Sequence, residues 1–166
     1  MQKAQPKLDI PLKSIDIILE VGSLMLLGVF WYFVIDNYNA LPEKIPSHFN
    51  IRGEVDGYGS KSSLFILPTI ASMLFIGLAV LSRFPHSFNY PVKISNTNAM
   101  YQYSISLRLL RILKLVIMMV FLVISWMTIR TAGATGATNS QWLLPLVLAL
   151  IFLPIFIYLV LAYKYK

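Results

Sequence analysis

The sequence predicts an all-α integral membrane protein, a bundle of four transmembrane helices with both chain ends in the cytoplasm. Hydrophobic residues make up 57% of the 166 residues and charged residues only 13%, against about 25% charged in soluble domains. Four stretches are apolar for about 20 residues, the length that crosses a bilayer. The cations gather near alternate ends of these stretches, as they do around membrane helices.

The predicted spans divide a single transmembrane domain, residues 1–166, into short loops. The spans are 14–35, 62–82, 112–129 and 142–163, and the main connections are an outer loop at 36–61 and an inner loop at 83–111. The third span is short between Lys114 and Arg130, so both side chains are expected to extend toward the headgroups. The inner loop is expected to form an interfacial helix that begins after Ser95 or Thr97 and leads into the third span. The first span is too long for a signal-peptide core and is expected to be retained.

The distribution of cations predicts the orientation, because cationic loops are held on the cytoplasmic side. Trp31, Trp126 and Trp142 then fall at the outer interface, where amphipathic rings prefer to lie. These observations predict a multi-pass protein of the bacterial cytoplasmic (inner) membrane. The expected inner cations are Lys3, Lys7, Lys13, Arg83, Lys93, Arg108, Arg111, Lys114, Lys164 and Lys166, and the outer ones are Lys44, Arg52, Lys61 and Arg130.

The net charge of +7 is explained by this topology, with the lipid bilayer as the partner. The cations form no stripe interleaved with aromatics, so no nucleic-acid partner is expected. The absence of cysteine excludes disulfides, thiolate metal sites and cysteine nucleophiles. The chain has no nucleophile elbow, no H-E-x-x-H, no phosphate loop and no dinucleotide fingerprint. No catalytic residue and no cofactor are predicted.

The outer loop holds the densest set of turn-forming and polar residues. Residues 47–51 and 54–58 are predicted to pair as a short hairpin around Arg52 and Gly53. Gly53, Gly57 and Gly59 are expected to supply positive φ angles. The candidate site residues of this loop are Pro46, His48, Asn50, Gly53, Glu54, Asp56 and Lys61.

Two interpretations of this loop stay open. His48, Glu54 and Asp56 offer the nitrogen and oxygen ligands that suit zinc or manganese. Their spacing matches no established zinc signature, however, and the preferred interpretation is that these groups hydrogen-bond the loop into one shape. We therefore predict no metal, and keep these three side chains as the candidate ligands for the alternative.

A second candidate site is predicted at the inner end of the bundle. Asp16 and Glu20 lie four residues apart, hence on one face of the first helix. Acids at this depth usually face the bundle and have a partner. Either they form a proton- or ligand-binding pocket, or they form ion pairs that lock the first helix to the third. The predicted inner polar cluster is Asp16, Glu20, His86, Asn89, Arg108 and Arg111.

The outer-loop motif closely resembles a known family. It reads Asn39-x-Leu41-Pro42-x-x-Ile45-Pro46-x-His48-Phe49-Asn50-x-x-Gly53-x-x-Asp56-Gly57, followed by Lys61. This pattern is similar to the domain of unknown function at the start of the SdpI family, which includes bacterial membrane proteins that give immunity to a secreted sporulation-delay toxin. The element Pro85-His86-x-x-Asn89-Tyr90-Pro91 also resembles this wider group. The immunity members carry further transmembrane helices after the shared domain, and this sequence has four spans.

The resemblance implies a non-enzymatic protein that binds an extracellular peptide or toxin, for immunity or sensing. The alternative is a small membrane-embedded metal-dependent hydrolase or a proton-coupled transporter. A hydrolase needs a bound metal or a reactive serine, whereas a transporter needs a substrate-dependent coupling to protons or ions. A second copy of the chain is a further expected partner.

Overall fold

The structure, a computed structural model, describes residues 5–133 and 141–166. Most of the connection between the third and fourth predicted spans, and the cation Lys3, lie outside the described residues. The elements are α1 (Ser14–Tyr38), β1 (Lys44–Phe49), β2 (Val55–Ser60), a 3-10 helix (Lys61–Phe65), α2 (Ile66–Leu81), a second 3-10 helix (Pro85–Ser87), α3 (Ala99–Gly133) and α4 (Leu143–Lys164).

Four helices of the described chain are long and apolar enough to cross a membrane. The second of them begins in the first 3-10 helix, which runs directly into α2. The predicted fold class, a mainly helical protein with four membrane-spanning helices, is confirmed. The strands β1 and β2 form a two-stranded sheet between the first and second spans.

The predicted interfacial helix and the third span are one continuous helix, α3, of 35 residues. No proline or glycine occurs between Ala99 and Gly133, so nothing in this stretch breaks the backbone hydrogen-bond ladder. At 1.5 Å per residue α3 is about 50 Å long, well beyond a hydrocarbon core of about 30 Å. Its first turns therefore extend past the membrane-spanning part.

α3 is the central element of the bundle, since it packs against α1, α2, α4 and β1. The buried apolar cluster lies at the hairpin end, by which we mean the end of the bundle that carries β1 and β2. There Ile45 of β1, which is fully buried, joins Phe30 and Val34 of α1 and Met118 of α3. The hairpin is thus anchored in the bundle by one strand.

Candidate functional site

The outer loop folds as an antiparallel hairpin with longer strands than predicted. Paired positions run from Lys44 opposite Ser60 to Phe49 opposite Val55, with an irregular register around His48. Pro46, one of the predicted site residues, is buried and lies opposite Tyr58. The register shifts on both sides of His48, as it does at a β-bulge. Such an irregularity tightens the local twist of the strands and changes the direction of their side chains.

Asn50 holds the turn of the hairpin in one conformation. Its Oδ1 accepts hydrogen bonds from the backbone N–H groups of Arg52 (2.9 Å) and Glu54 (3.0 Å). Its Nδ2 donates to Glu54 Oε2 (2.9 Å), and its backbone N–H donates to the Glu54 carbonyl (2.9 Å). Asparagine favours this role because its short amide mimics the backbone of a turn. Glu54 is therefore tied to Asn50.

The glycines of the hairpin have two different roles. Gly53 has a φ of 75°, as predicted for the turn. The same expectation is wrong for Gly57 and Gly59, because among the described residues only Gly53 has a positive φ angle. A Cβ at Gly57 would lie 3.1 Å from the His48 Cβ, and one at Gly59 would lie 3.2 Å from the Ser47 Cβ. These two glycines allow the strands to approach closely.

The predicted metal ligands do not converge on one point. His48 Nδ1 contacts Asp56 Oδ1, and the two side chains are 70% and 43% exposed, whereas Glu54 bonds Asn50. The described residues contain no group of three or more His, Cys, Asp or Glu side chains that could hold a metal ion. A catalytic zinc takes three protein ligands, so a metal here would need an additional ligand. The metal interpretation stays untested.

Lys61 closes the base of the hairpin. Its Nζ lies 2.9 Å from Glu43 Oε1 and 5.2 Å from the ring centroid of Tyr38. The Lys61 backbone N–H also donates to the Glu43 carbonyl at 3.0 Å. These contacts link the end of β2 to the segment that follows α1.

A cavity of about 590 Å³ lies beneath the hairpin. We call it the hairpin cavity. Its roof is β1 with the turn that follows, and its walls are the start of α2, the half of α3 nearer the hairpin and the first turns of α4. The residues of α3 and α4 that line it are Val120, Ile124, Ser125, Thr128, Leu143, Leu144 and Val147. No sequence pattern predicted this cavity, because its roof and walls come from separate elements of the chain.

The opposite end of the bundle holds an ion-pair cluster of Asp16, Glu20, Arg108, Arg111 and Lys114. Asp16 Oδ1 lies 3.2 Å from Arg108 Nε and 3.2 Å from Arg111 Nη1. Glu20 Oε1 lies 3.2 Å from Arg111 Nε, and Glu20 Oε2 contacts Lys114 Nζ. Three cations thus face two carboxylates, and the contacts join α1 to α3.

Lys114 belongs to this cluster and was missing from the predicted one. It was expected to extend toward the headgroups, but this expectation is wrong, since Lys114 is only 1% exposed. Its ammonium lies 4.5 Å from the ring centroid of Phe75 on α2, beside its contact with Glu20. The available signal was that Arg108, Arg111 and Lys114 follow one another at intervals of three residues, so that each neighbours the next on the surface of the helix.

His86 and Asn89 lie apart from the ion pairs. His86 contacts the ring of Phe84, with centroids 6.4 Å apart, and Asn89 is exposed. Their neighbour Tyr90 is more involved, since its hydroxyl donates to the Pro85 carbonyl (2.8 Å) and its ring stacks on Tyr103 of α3 (5.4 Å). Burial raises the pKa of the Tyr90 phenol. This element fastens the inner loop to α3.

Comparison with known proteins identifies the domain that contains the hairpin. Residues 24–72 match the family model described as a domain of unknown function (DUF1648), which covers the second half of α1, the hairpin and the start of α2. The predicted resemblance of this region to a domain of unknown function is confirmed. An uncharacterized protein of Archaeoglobus fulgidus is 29% identical over 82 residues, which are 45% of this chain and 45% of that protein. This chain therefore covers less than half of that curated relative. No solved structure matches.

Proposed function

We propose that this protein is an SdpI-related, non-enzymatic protein of a bacterial cytoplasmic membrane that binds an extracellular peptide, such as a toxin, through its hairpin. In this proposal both chain ends lie in the cytoplasm and the hairpin faces outward. The charge bias supports this orientation, because the cations Arg108, Arg111 and Lys114 belong to the end opposite the hairpin.

The observation that carries the proposal is the hairpin itself. The residues of the matched domain build a turn that is fixed by Asn50, so a partner would meet a surface that is already ordered. A preordered surface loses less conformational entropy on binding. Two large apolar side chains stand out from it, since Ile51 is 80% exposed and Tyr58 is 68% exposed. Exposed tyrosine is enriched in binding surfaces because it offers both a flat apolar ring and a hydrogen-bonding hydroxyl.

The experiment is a survival assay in a bacterium that is sensitive to the sporulation-delay toxin. Expression of the chain should raise survival in the presence of the toxin. Tyr58→Ser and Ile51→Ser should each reduce that protection, because they remove apolar contact area from the hairpin. Tyr163→Ser is the matched control, since Tyr163 is also exposed, at 56%, but lies near the end of α4 away from the hairpin. No protection by the unaltered chain, at a normal membrane level, would contradict the proposal.

A proton-coupled transporter is the second candidate, and the ion-pair cluster favours it. Ionisable groups within membrane helices often mark proton or ion pathways. Three cations against two carboxylates leave one positive charge in the cluster. In proteoliposomes loaded with a pH-sensitive dye, this candidate predicts a proton flux that Glu20→Gln abolishes. The peptide-binding proposal predicts no flux in either protein.

A further inference from the structure

The net charge of the described chain lies at the end of the bundle opposite the hairpin, which we call the basic end. Its segments 5–20, 82–114 and 164–166 hold nine Lys or Arg residues against three Asp or Glu residues, a surplus of six positive side-chain charges. The rest of the described chain holds four cations and four acids and is neutral. A surface with such a surplus attracts an anionic partner.

Arg108 lies at the depth of lipid headgroups. It is 22 residues from Arg130 on the continuous helix α3, which corresponds to about 33 Å at 1.5 Å per residue, and the hydrocarbon core is about 30 Å thick. Arg130 is exposed and lies over the ring of Trp126, 5.4 Å from its centroid, a pairing that suits a membrane interface. With Arg130 at one headgroup layer, Arg108 is at the other.

Asp16 holds two cationic residues beside each other at this depth. Its Oδ1 lies 3.2 Å from Arg108 Nε, and its Oδ2 accepts a hydrogen bond from the Lys13 backbone N–H at 3.0 Å. The Asp16 side chain is only 6% exposed, whereas the Arg108 side chain is 34% exposed and Lys13 is exposed. The same carboxylate also pairs with Arg111, so it does not neutralise the charges of Lys13 and Arg108.

The surface of α1 beside these cations suits acyl chains. Ile15 and Ile18, which are neighbours on the helix surface, are 45% and 64% exposed, and Leu12 just before the helix is 57% exposed. A soluble anion would gain nothing from these side chains. A phospholipid places its phosphate among the cations and its acyl chains on the apolar side chains at once, as basic pockets at the membrane surface do.

We infer that Lys13 and Arg108 bind the phosphate of an anionic phospholipid, such as phosphatidylglycerol, whose acyl chains lie along α1. The guanidinium donates to the phosphate oxygens and the ammonium adds a second positive charge. A zwitterionic lipid fits less well, because its headgroup adds a cation to a surface that already has a positive surplus. Asp16 is a positioning residue, since it orders both cations from a buried site. This inference goes beyond the proposed peptide binding and does not depend on it.

The test measures lipid binding to the full chain, purified in dodecyl maltoside, by native mass spectrometry. Dioleoyl phosphatidylglycerol and dioleoyl phosphatidylcholine are titrated separately, and the dissociation constant of the first bound lipid is measured for each. Phosphatidylglycerol should bind more tightly. Lys13→Gln and Arg108→Gln should each weaken its binding about fivefold, the effect expected for one cation close to an anionic headgroup. The weaker binding of phosphatidylcholine should change much less in both variants.

Two further variants separate a discrete site from general attraction to the basic end. Lys93→Gln and Arg83→Gln are the matched controls, because each removes one exposed cation of the same type from the same end, and neither residue takes part in the contacts of Asp16. Both should leave the binding of phosphatidylglycerol unchanged. Lys13→Gln keeps the backbone N–H that Asp16 binds, so its melting temperature in lipid-free detergent should not change. It decides the question if Arg108→Gln proves unstable.

Three results would overturn the inference. They are equal affinities for the two lipids, equal losses in the site and control variants, and displacement of phosphatidylglycerol by excess inorganic phosphate, which would assign the site to a soluble anion. Because the basic end is opposite the hairpin and no peptide is involved, failure of this inference is distinct from failure of the proposed function.

Discussion

The two ends of the bundle satisfy their polar groups in opposite ways. At the hairpin end the partners are close in sequence, four residues apart for Asn50 and Glu54 and eight for His48 and Asp56, and these contacts are exposed. In the ion-pair cluster the partners are 91 to 95 residues apart and hold α1 against α3. The first arrangement fixes the shape of a loop, whereas the second depends on the whole bundle.

This difference determines the consequence of losing one partner. An exposed side chain whose partner is removed is rehydrated at little cost. A buried charge whose partner is removed has no such alternative, and the loss is severe. The ion-pair cluster should therefore dominate stability, and the hairpin should affect local order and binding.

The largest expected effect is that of Glu20→Gln. This change leaves Lys114, which is 1% exposed, without its carboxylate. The cost should be on the order of 3 kcal/mol, as for other broken buried pairs, and should appear as a lower melting temperature in detergent. The double variant Glu20→Lys with Lys114→Glu should recover part of the loss, because the pair is restored with its charges exchanged.

Glu43→Gln is the matched control for that experiment. Glu43 also pairs with a lysine, Lys61, but its side chain is 83% exposed. The melting temperature should change little. Equal losses in the Glu20 and Glu43 variants would remove the distinction between the two ends of the bundle.

Asn50→Ala should have an intermediate effect that is confined to the hairpin. It removes the acceptor for two backbone N–H groups and the donor to Glu54, at a cost of about 1 kcal/mol, because the exposed N–H groups can bond to water instead. Hydrogen exchange should accelerate at the amides of residues 50–56, while exchange in α1 and α3 stays slow. Faster exchange in the helices as well would mean that the hairpin stabilises the bundle as a whole.

His48→Ala should have the smallest effect, about 0.5 kcal/mol or less, because the side chain is 70% exposed and surface substitutions usually fall in that range. Elemental analysis of the purified protein should find no stoichiometric zinc or manganese. About one equivalent of either metal per chain, lost in His48→Ala, would establish a metal site and promote the hydrolase hypothesis.

The fold was predictable because the signals for membrane helices are long and local. Each span is set by about 20 apolar residues, and the hairpin by the Asn, Gly and Pro content of its loop. The continuity of α3 was harder to predict. The inner loop and third span differ in polarity, and polarity alone does not break a helix when Pro and Gly are absent between Ala99 and Gly133.

The candidate sites were only partly predictable, because their contacts join distant parts of the chain. The spacing of Asp16 and Glu20 predicted a shared face, but the burial of Lys114 depends on Phe75 from α2. The hairpin cavity arises from packing among β1, α2, α3 and α4. A sequence pattern within one element cannot encode such an arrangement.

The orientation of the hairpin tests the account most directly, because binding of an extracellular peptide requires the hairpin to face outward. The chain contains no cysteine, so single cysteines at Ser60 and Thr97, which are both exposed, report on one position each. In intact cells an impermeant thiol reagent should label Ser60→Cys and spare Thr97→Cys, and permeabilised cells should allow labelling of both. Labelling of Thr97→Cys with protection of Ser60→Cys in intact cells would place the hairpin in the cytoplasm and contradict the account.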